Sequence, residues 1–284
     1  MKACACERPG NYGLALARWS IRALVKVARG LSAGLAAISR SSVQRVLARD
    51  ALKPWQFRSW LYPRDPHFIE KAGRVLDLYA RIWDGKPLAH DEYVLSADEK
   101  TSIQARRRRH LTQPAKPGEP ARVEAEYTRC GATQYLAALD VDTGRVFGRC
   151  EAKTGIVPFD RLVDQVMGVE LYRSARRVFW IVDNGSSHRG LPAAQRLCKR
   201  YPNLVLVHLP VHASWLNQVE IYFSIVHRQI LTPTDFPSVA ALERQLLTFQ
   251  SYYNCTARPF GWRYTRSMLL EHLRKLEPAN NMAA

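Results

Sequence analysis

Three acidic residues have the spacing and flanking sequence that phosphodiester chemistry requires. They are Asp98 in Ser96-Ala97-Asp98-Glu99-Lys100, Asp183 in Trp180-Ile181-Val182-Asp183-Asn184, and Glu220 in Ser214-Trp215-Leu216-Asn217-Gln218-Val219-Glu220. Between them lie 84 and then 36 residues. Asp98 and Asp183 each follow a short apolar, β-branched run, so each is expected at a strand end, and Glu220 is expected near the start of an amphipathic helix. Such a set suits two hard divalent cations, Mg²⁺ or Mn²⁺. These ions take carboxylate oxygens, and a metal pair stabilises both the attacking and the leaving oxygen of an in-line displacement. Taken singly, an aspartate after a strand is more often a turn residue or a helix N-cap, and a lone helical glutamate a solvated charge. The conjunction is what points to metal-dependent processing of DNA.

These acids need a scaffold, and 284 residues allow one large domain or two modest ones. Hydrophobic residues at 47% and charged residues at 24% are ordinary for a globular chain, whereas a formal net charge of +17 is not. Excess positive charge of that size favours polyanions, nucleic acid first and acidic membrane second. No uncharged apolar run approaches the length of roughly 20 residues that spans a bilayer, so no membrane partner is expected. The six cysteines (4, 6, 130, 150, 198 and 255) form no CxxC pair, which fits a reduced cytoplasmic protein better than a zinc or disulfide framework.

Residues 8–49 hold seven Arg, one Lys and no Asp or Glu. An organellar transit peptide shares that composition, but the apolar spacing fits a folded unit. A basic amphipathic helix is expected over residues 17–29, interrupted at Gly30 and residues 32–34. A second begins after Ser39 as N-cap, with Val43, Val46 and Leu47 buried. Arg40, Ser41, Ser42, Gln44 and Arg45 then face outward near its N-terminus, the part of a helix-turn-helix that enters the major groove. The alternative is a solvated face on an ordinary helical hairpin. The expected division is residues 1–62 as the helix-turn-helix domain, 63–91 as a linker with a helix from Phe68 to Trp83, 92–275 as the catalytic domain, and 276–284 as a tail.

From Glu92 the pattern is α/β: a strand over Tyr93–Asp98, a hairpin of 134–141 and 145–151 about Asp142-Thr143-Gly144, and a helix over 155–167. There follow a strand over 177–183, a helix over 191–200, a strand over 204–209, and helices over 217–231 and 239–253. Three antiparallel strands followed by parallel ones suggest a ribonuclease-H-like mixed sheet flanked by helices, with ligands beyond the carboxyl ends of its strands. Asn184, His188 and Asn217 are candidates to orient the carboxylates or contact phosphate, against the simpler roles of closing a turn or capping a helix. His212 is a candidate phosphate contact of the same ambiguity. Arg106, Arg107, Arg108 and Arg109 follow the first acid closely and are candidates to grip the DNA backbone, although such a run is usually a solvated loop.

Several stretches together carry a family resemblance: Trp19-Ser20-Ile21-Arg22, residues 38–47, Lys53-Pro54-Trp55, Asp98-Glu99-Lys100 with Ile103-Gln104, Glu126-Tyr127-Thr128-Arg129, Asp183-Asn184 with Ser187-His188, and residues 212–220. The chain resembles the DDE transposases of bacterial insertion sequences related to mariner, the insertion-sequence group six-thirty. That resemblance implies a ribonuclease-H-like fold, Asp98, Asp183 and Glu220 as catalytic and metal-binding triad, and cut-and-paste movement of the element's own DNA. It also implies element ends and a TA target as double-stranded DNA partners, a homodimer to synapse two ends, and a nucleoid-associated protein. The chain departs from the resemblance in two places. Only one helix-turn-helix fits before residue 60, where relatives have two, and Cys130 stands where relatives often have His. The competing expectation is a decayed or co-opted transposase that only binds DNA.

Overall fold

The computed structural model describes residues 1–56, 63–110, 112–185 and 190–275. The chain divides into two compact units, 1–62 and 63–284.

In the first unit, helix α1 (Lys2–Cys6), helix α2 (Ile21–Leu31) and helix α3 (Arg40–Arg49) enclose a small core of Cys4, Ala5, Trp19, Leu24, Val43 and Leu47. Helix α2 starts four residues later than the sequence predicts. Ser20 is its N-cap, accepting from the Ala23 amide at 3.1 Å, which leaves Trp19 outside the helix and free to enter the core. The Trp19 indole donates to the Glu7 carbonyl at 2.7 Å, so residues 1–16, which carry no helix-turn-helix pattern, are tied into the core by this contact. Gly30 lies inside the last turn of α2. Ser39 caps α3 through the Ser42 amide at 3.1 Å, as its sequence position implies. The Arg29 guanidinium reaches across the connection to the Ile38 carbonyl.

The second unit is built on a five-stranded sheet in the order β5-β4-β3-β6-β7. Strands β3 (Glu92–Arg107), β4 (Thr128–Asp140) and β5 (Val146–Glu151) are antiparallel, while β6 (Arg177–Val182) and β7 (Leu204–His208) continue the sheet parallel to β3. The β4–β5 turn is the predicted one. Asp140 Oδ1 accepts from the amides of Asp142 and Thr143, and Gly144 sits at φ +74°. A Cβ at Gly144 would come within 2.1 Å of the Arg258 carbonyl oxygen, so only glycine closes this turn.

Side-chain alternation divides the sheet into two faces. On one, Leu95, Ala97, Leu136, Ala138, Val178, Trp180 and Val182 pack under α5 (Ile156–Met167) and α7 (Gly190–Arg200), with Tyr172 of the short α6 (Glu170–Arg173). On the other, Val94, Phe179, Ile181 and Val207 pack against α4 (Phe68–Tyr79) and α10 (Arg266–Arg274). Beside them, Tyr135, Ala137 and Leu139 pack against α8 (Val219–Gln229) and α9 (Val239–Cys255).

Residues 63–91, expected as a linker, belong to this second unit. The expected helix stops at Tyr79, four residues short of Trp83. A two-stranded hairpin follows, β1 (Ile82–Trp83) and β2 (Lys86–Pro87), closed by Asp84 and Gly85, both at positive φ. Asp-Gly is the sequence signature of that turn type, and it overrides the helical spacing before it. Trp83 thereby packs on Phe179 at 4.7 Å. Helix α10 was not expected from the sequence.

Candidate active site

Strand β3 does not end at its aspartate. It runs 16 residues, with Asp98 seventh, and bends at a register shift between Lys100 and Ile103, where Ser102 has φ +55°. The strand end that matters is that of β6. The parallel pairing stops at Ser96 opposite Ile181, so continuing the register by two residues brings Asp98 level with Asp183. Both have the parity of the face that carries α8. Glu220 is exposed in the first turn of that helix.

The helix is fastened to the strand by one buried side chain. Asn217, two residues before α8, donates from Nδ2 to the Ala97 carbonyl and to Asp98 Oδ2, both at 3.1 Å. Its Oδ1 accepts from the Ser96 hydroxyl, and Ser96 Oγ in turn accepts from the Val219 amide at 2.9 Å. On the other side of the turn, the buried Tyr79 hydroxyl donates to the Leu216 carbonyl at 2.7 Å and accepts from the Gln218 amide at 3.3 Å. Residues 216–219 are therefore held from two elements. Of these holders, Asn217 was a sequence candidate. Ser96 is marked in the sequence only as a hydroxyl on the inward parity of an otherwise apolar run. Tyr79 carried none, because its contact lies 137 residues along the chain.

Electrostatics show that the acids share one region. Burial pushes Asp98 up to about 7, and the nearby charges of Asp183 and Glu220 act in the same direction, against the hydrogen bond from the Glu99 amide at 2.8 Å. Asp183 is half-buried and accepts from the Gly185 amide at 2.7 Å. Among the described residues, no three His, Cys, Asp or Glu side chains are drawn together as a preformed metal cage. The donor set nevertheless fits a hard divalent cation. It consists of carboxylate oxygens alone, and their mutual repulsion, visible at Asp98, is what a cation relieves.

The remaining candidates divide. Asn184 donates to the Leu209 carbonyl at 2.7 Å and so ties the loop after β6 to the end of β7, the turn-closing role. His188 lies outside the described residues. Arg108 is turned inward, donating to the carbonyls of Glu124 and Thr234. The Arg106 guanidinium lies 4.5 Å over the Tyr127 ring. Arg107 and Arg109 are exposed. On α3, Arg40, Ser41, Gln44 and Arg45 are exposed, whereas the Ser42 hydroxyl is engaged with the Ser39 cap at 2.9 Å. His212 is exposed at φ +61°. Lys100, two residues beyond Asp98, places its ammonium 6.0 Å from the ring of Phe223, on the helix that carries Glu220.

A family model described as DDE superfamily endonuclease matches residues 93–243, just over half the chain and the span that holds all three acids. The chain belongs to this family. Among solved structures, this DDE endonuclease is similar to the Mos1 mariner paired-end complex with Mn, at 16% identity and a TM-score of 0.50, over 84% of this chain and 73% of that one. It is similar also to the Mos1 strand transfer complex, at 16% identity and a TM-score of 0.50, over 81% of this chain and 69% of that one. At such identity the likeness is one of fold. No curated protein matches the chain in sequence. No described helix is long and apolar enough to cross a membrane.

Proposed function

We propose that this DDE endonuclease is a transposase. It cleaves DNA strands at the ends of a mobile element and joins the freed 3′-hydroxyl to target DNA, in the cut-and-paste manner that the sequence resemblance implies. The observation that carries the reading is the register that sets Asp98 level with Asp183 on the face of the sheet where Asn217 docks the helix bearing Glu220.

Asp98, Asp183 and Glu220 would hold the divalent cations, Mg²⁺ or Mn²⁺, with Asp98 central because it is the most buried of the three and faces the charges of the other two. A bound ion pair supplies Lewis-acid stabilisation of the attacking and leaving oxygens. The protein's own contribution is placement. Asn217 presents Asp98 Oδ2 in one orientation, Ser96 fixes the start of α8, and Tyr79 keeps the preceding turn from drifting. Arg40, Ser41, Gln44 and Arg45 on α3 are assigned to the element ends, with Ser42 completing the cap that presents them. Arg107 and Arg109 are assigned to the DNA backbone, consistent with the +17 charge. Two protomers act together, since two ends must be synapsed.

The test is cleavage of a supercoiled plasmid bearing the element's ends in Mg²⁺ or Mn²⁺, with Asp183→Asn as control. Metal-dependent cuts at the element boundary that vanish in Asp183→Asn, while that variant still binds DNA, support the proposal. Binding without cleavage in either metal replaces it with a DNA-binding role alone.

A further inference from the structure

Trp215 is the one exposed tryptophan among the described residues, at 44% relative exposure, and it lies in the short turn (Ser214–Leu216) that leads directly into Asn217 and Glu220. Its neighbour Leu216 is buried, and so are Asn217 and Gln218, so the indole stands out of an otherwise enclosed segment. The ring is also fixed. Tyr264 meets it in a T-shaped contact at 5.6 Å and 75°, which occupies at most one of its faces. Tyr264 is itself stacked on His272 at 5.5 Å, hydrogen-bonded to that ring at 3.0 Å, and joined through its carbonyl to the Trp262 indole at 2.9 Å. An exposed aromatic ring held in place by other packed rings is a platform for another flat π-system.

We propose that Trp215 binds an unstacked DNA base at the rim of the acid cluster. This assignment rests on the endonuclease reading, because the ligand is the strand being cut. Asp98 is recessed, at 9% exposure, and a strand that leaves regular duplex geometry can bring its phosphodiester down to such a group more closely than a regular duplex can. A strand that does so exposes base faces, and an aromatic ring accepts any of the four bases because each has a π-face. Trp215 would hold the displaced base while the phosphate it flanks is placed against the acid cluster, whose Glu220 lies five residues further along the chain.

The experiment uses the full-length protein and a forked oligonucleotide with 2-aminopurine at the junction, followed by fluorescence. Wild type and Trp215→Phe are expected to quench the probe on binding. Trp215→Ala is expected to bind the fork about tenfold more weakly and to leave the probe bright, while binding fully paired duplex as wild type does. In Mn²⁺, the cleavage deficit of Trp215→Ala should shrink when the bases flanking the cut are mismatched beforehand, since the unpairing it no longer supports has been done in advance. Quenching by Trp215→Ala equal to wild type overturns the assignment, as does an equal loss of binding to fork and duplex, which would mean that the turn itself had collapsed. The fluorescence does not depend on cleavage. If wild type fails to cut in either metal, the endonuclease reading falls while Trp215 is still judged by its probe.

Discussion

Asn217 is the residue at which the strand, the helix and the first acid meet. Its amide bonds Asp98, the Ala97 carbonyl and Ser96 at once, so Asn217→Ala leaves three buried polar groups short of a partner. The expected cost is about 1–3 kcal/mol in urea unfolding. Cleavage should fall by more than tenfold, with the loss in kcat and DNA affinity little changed. Full activity in Asn217→Ala would show that Asp98 is oriented by something else. Tyr79→Phe removes one hydroxyl that bridges Leu216 and Gln218 from a separate helix. It is expected to cost about 1 kcal/mol, and its kcat should fall without a change in KM. A loss of stability at unchanged kcat would make Tyr79 a packing residue and nothing more.

At the scale of elements, helix α4 is anchored to the active-site side of the sheet by Asp65. This carboxylate is buried, which alone would raise its pKa. Lys71 at 2.9 Å, the Val211 amide at 3.1 Å and the His67 amide at 2.9 Å outweigh the burial and hold it at about 2 rather than 3.8. A carboxylate held low contributes stability above its unfolded value, and that stability is lost as pH falls from about 4 through about 2. The contribution is roughly 2 kcal/mol at neutral pH. Asp65→Asn should therefore be less stable at pH 7, and the gap to wild type should close between pH 4 and 2. A constant gap across that window would refute the linkage. Helix α3 makes a different prediction. Arg45 is exposed on it, so Arg45→Ala should weaken binding to element ends more than to random duplex. Equal weakening would make Arg45 a phosphate contact.

For the molecule as a whole, the +17 charge implies DNA affinity that falls steeply with salt. The arginine run at the end of β3 shows how little of such charge is available by default. Arg107 and Arg109 face solvent, and loss of either should lower the slope of log affinity against log salt by about one for each phosphate contact removed. Arg108 holds the carbonyls of Glu124 and Thr234, so Arg108→Ala should destabilise the fold and leave the slope unchanged. An unchanged slope in both exposed variants would remove this run from the DNA interface.

The sequence by itself determined the local elements. The strand runs before Asp98 and Asp183, the Ser39 cap, the Asp142–Gly144 turn and the amphipathic helix of Glu220 are all set by side-chain period and capping chemistry, which act within a few residues. It also carried the three acids, whose type and spacing survive without any knowledge of contacts. Only the tertiary structure decided that β3 continues past its acid. Residues 100–107 are stabilised as a strand by β4, a partner that periodicity cannot see. The same holds for the end of α4, where the Asp84-Gly85 turn won, and for Tyr79, Ser96 and the inward turn of Arg108. Each of these roles depends on a group far away in the chain. Burial and hydrogen bonding to such a partner are properties of the assembled sheet and helices, and no local pattern encodes them.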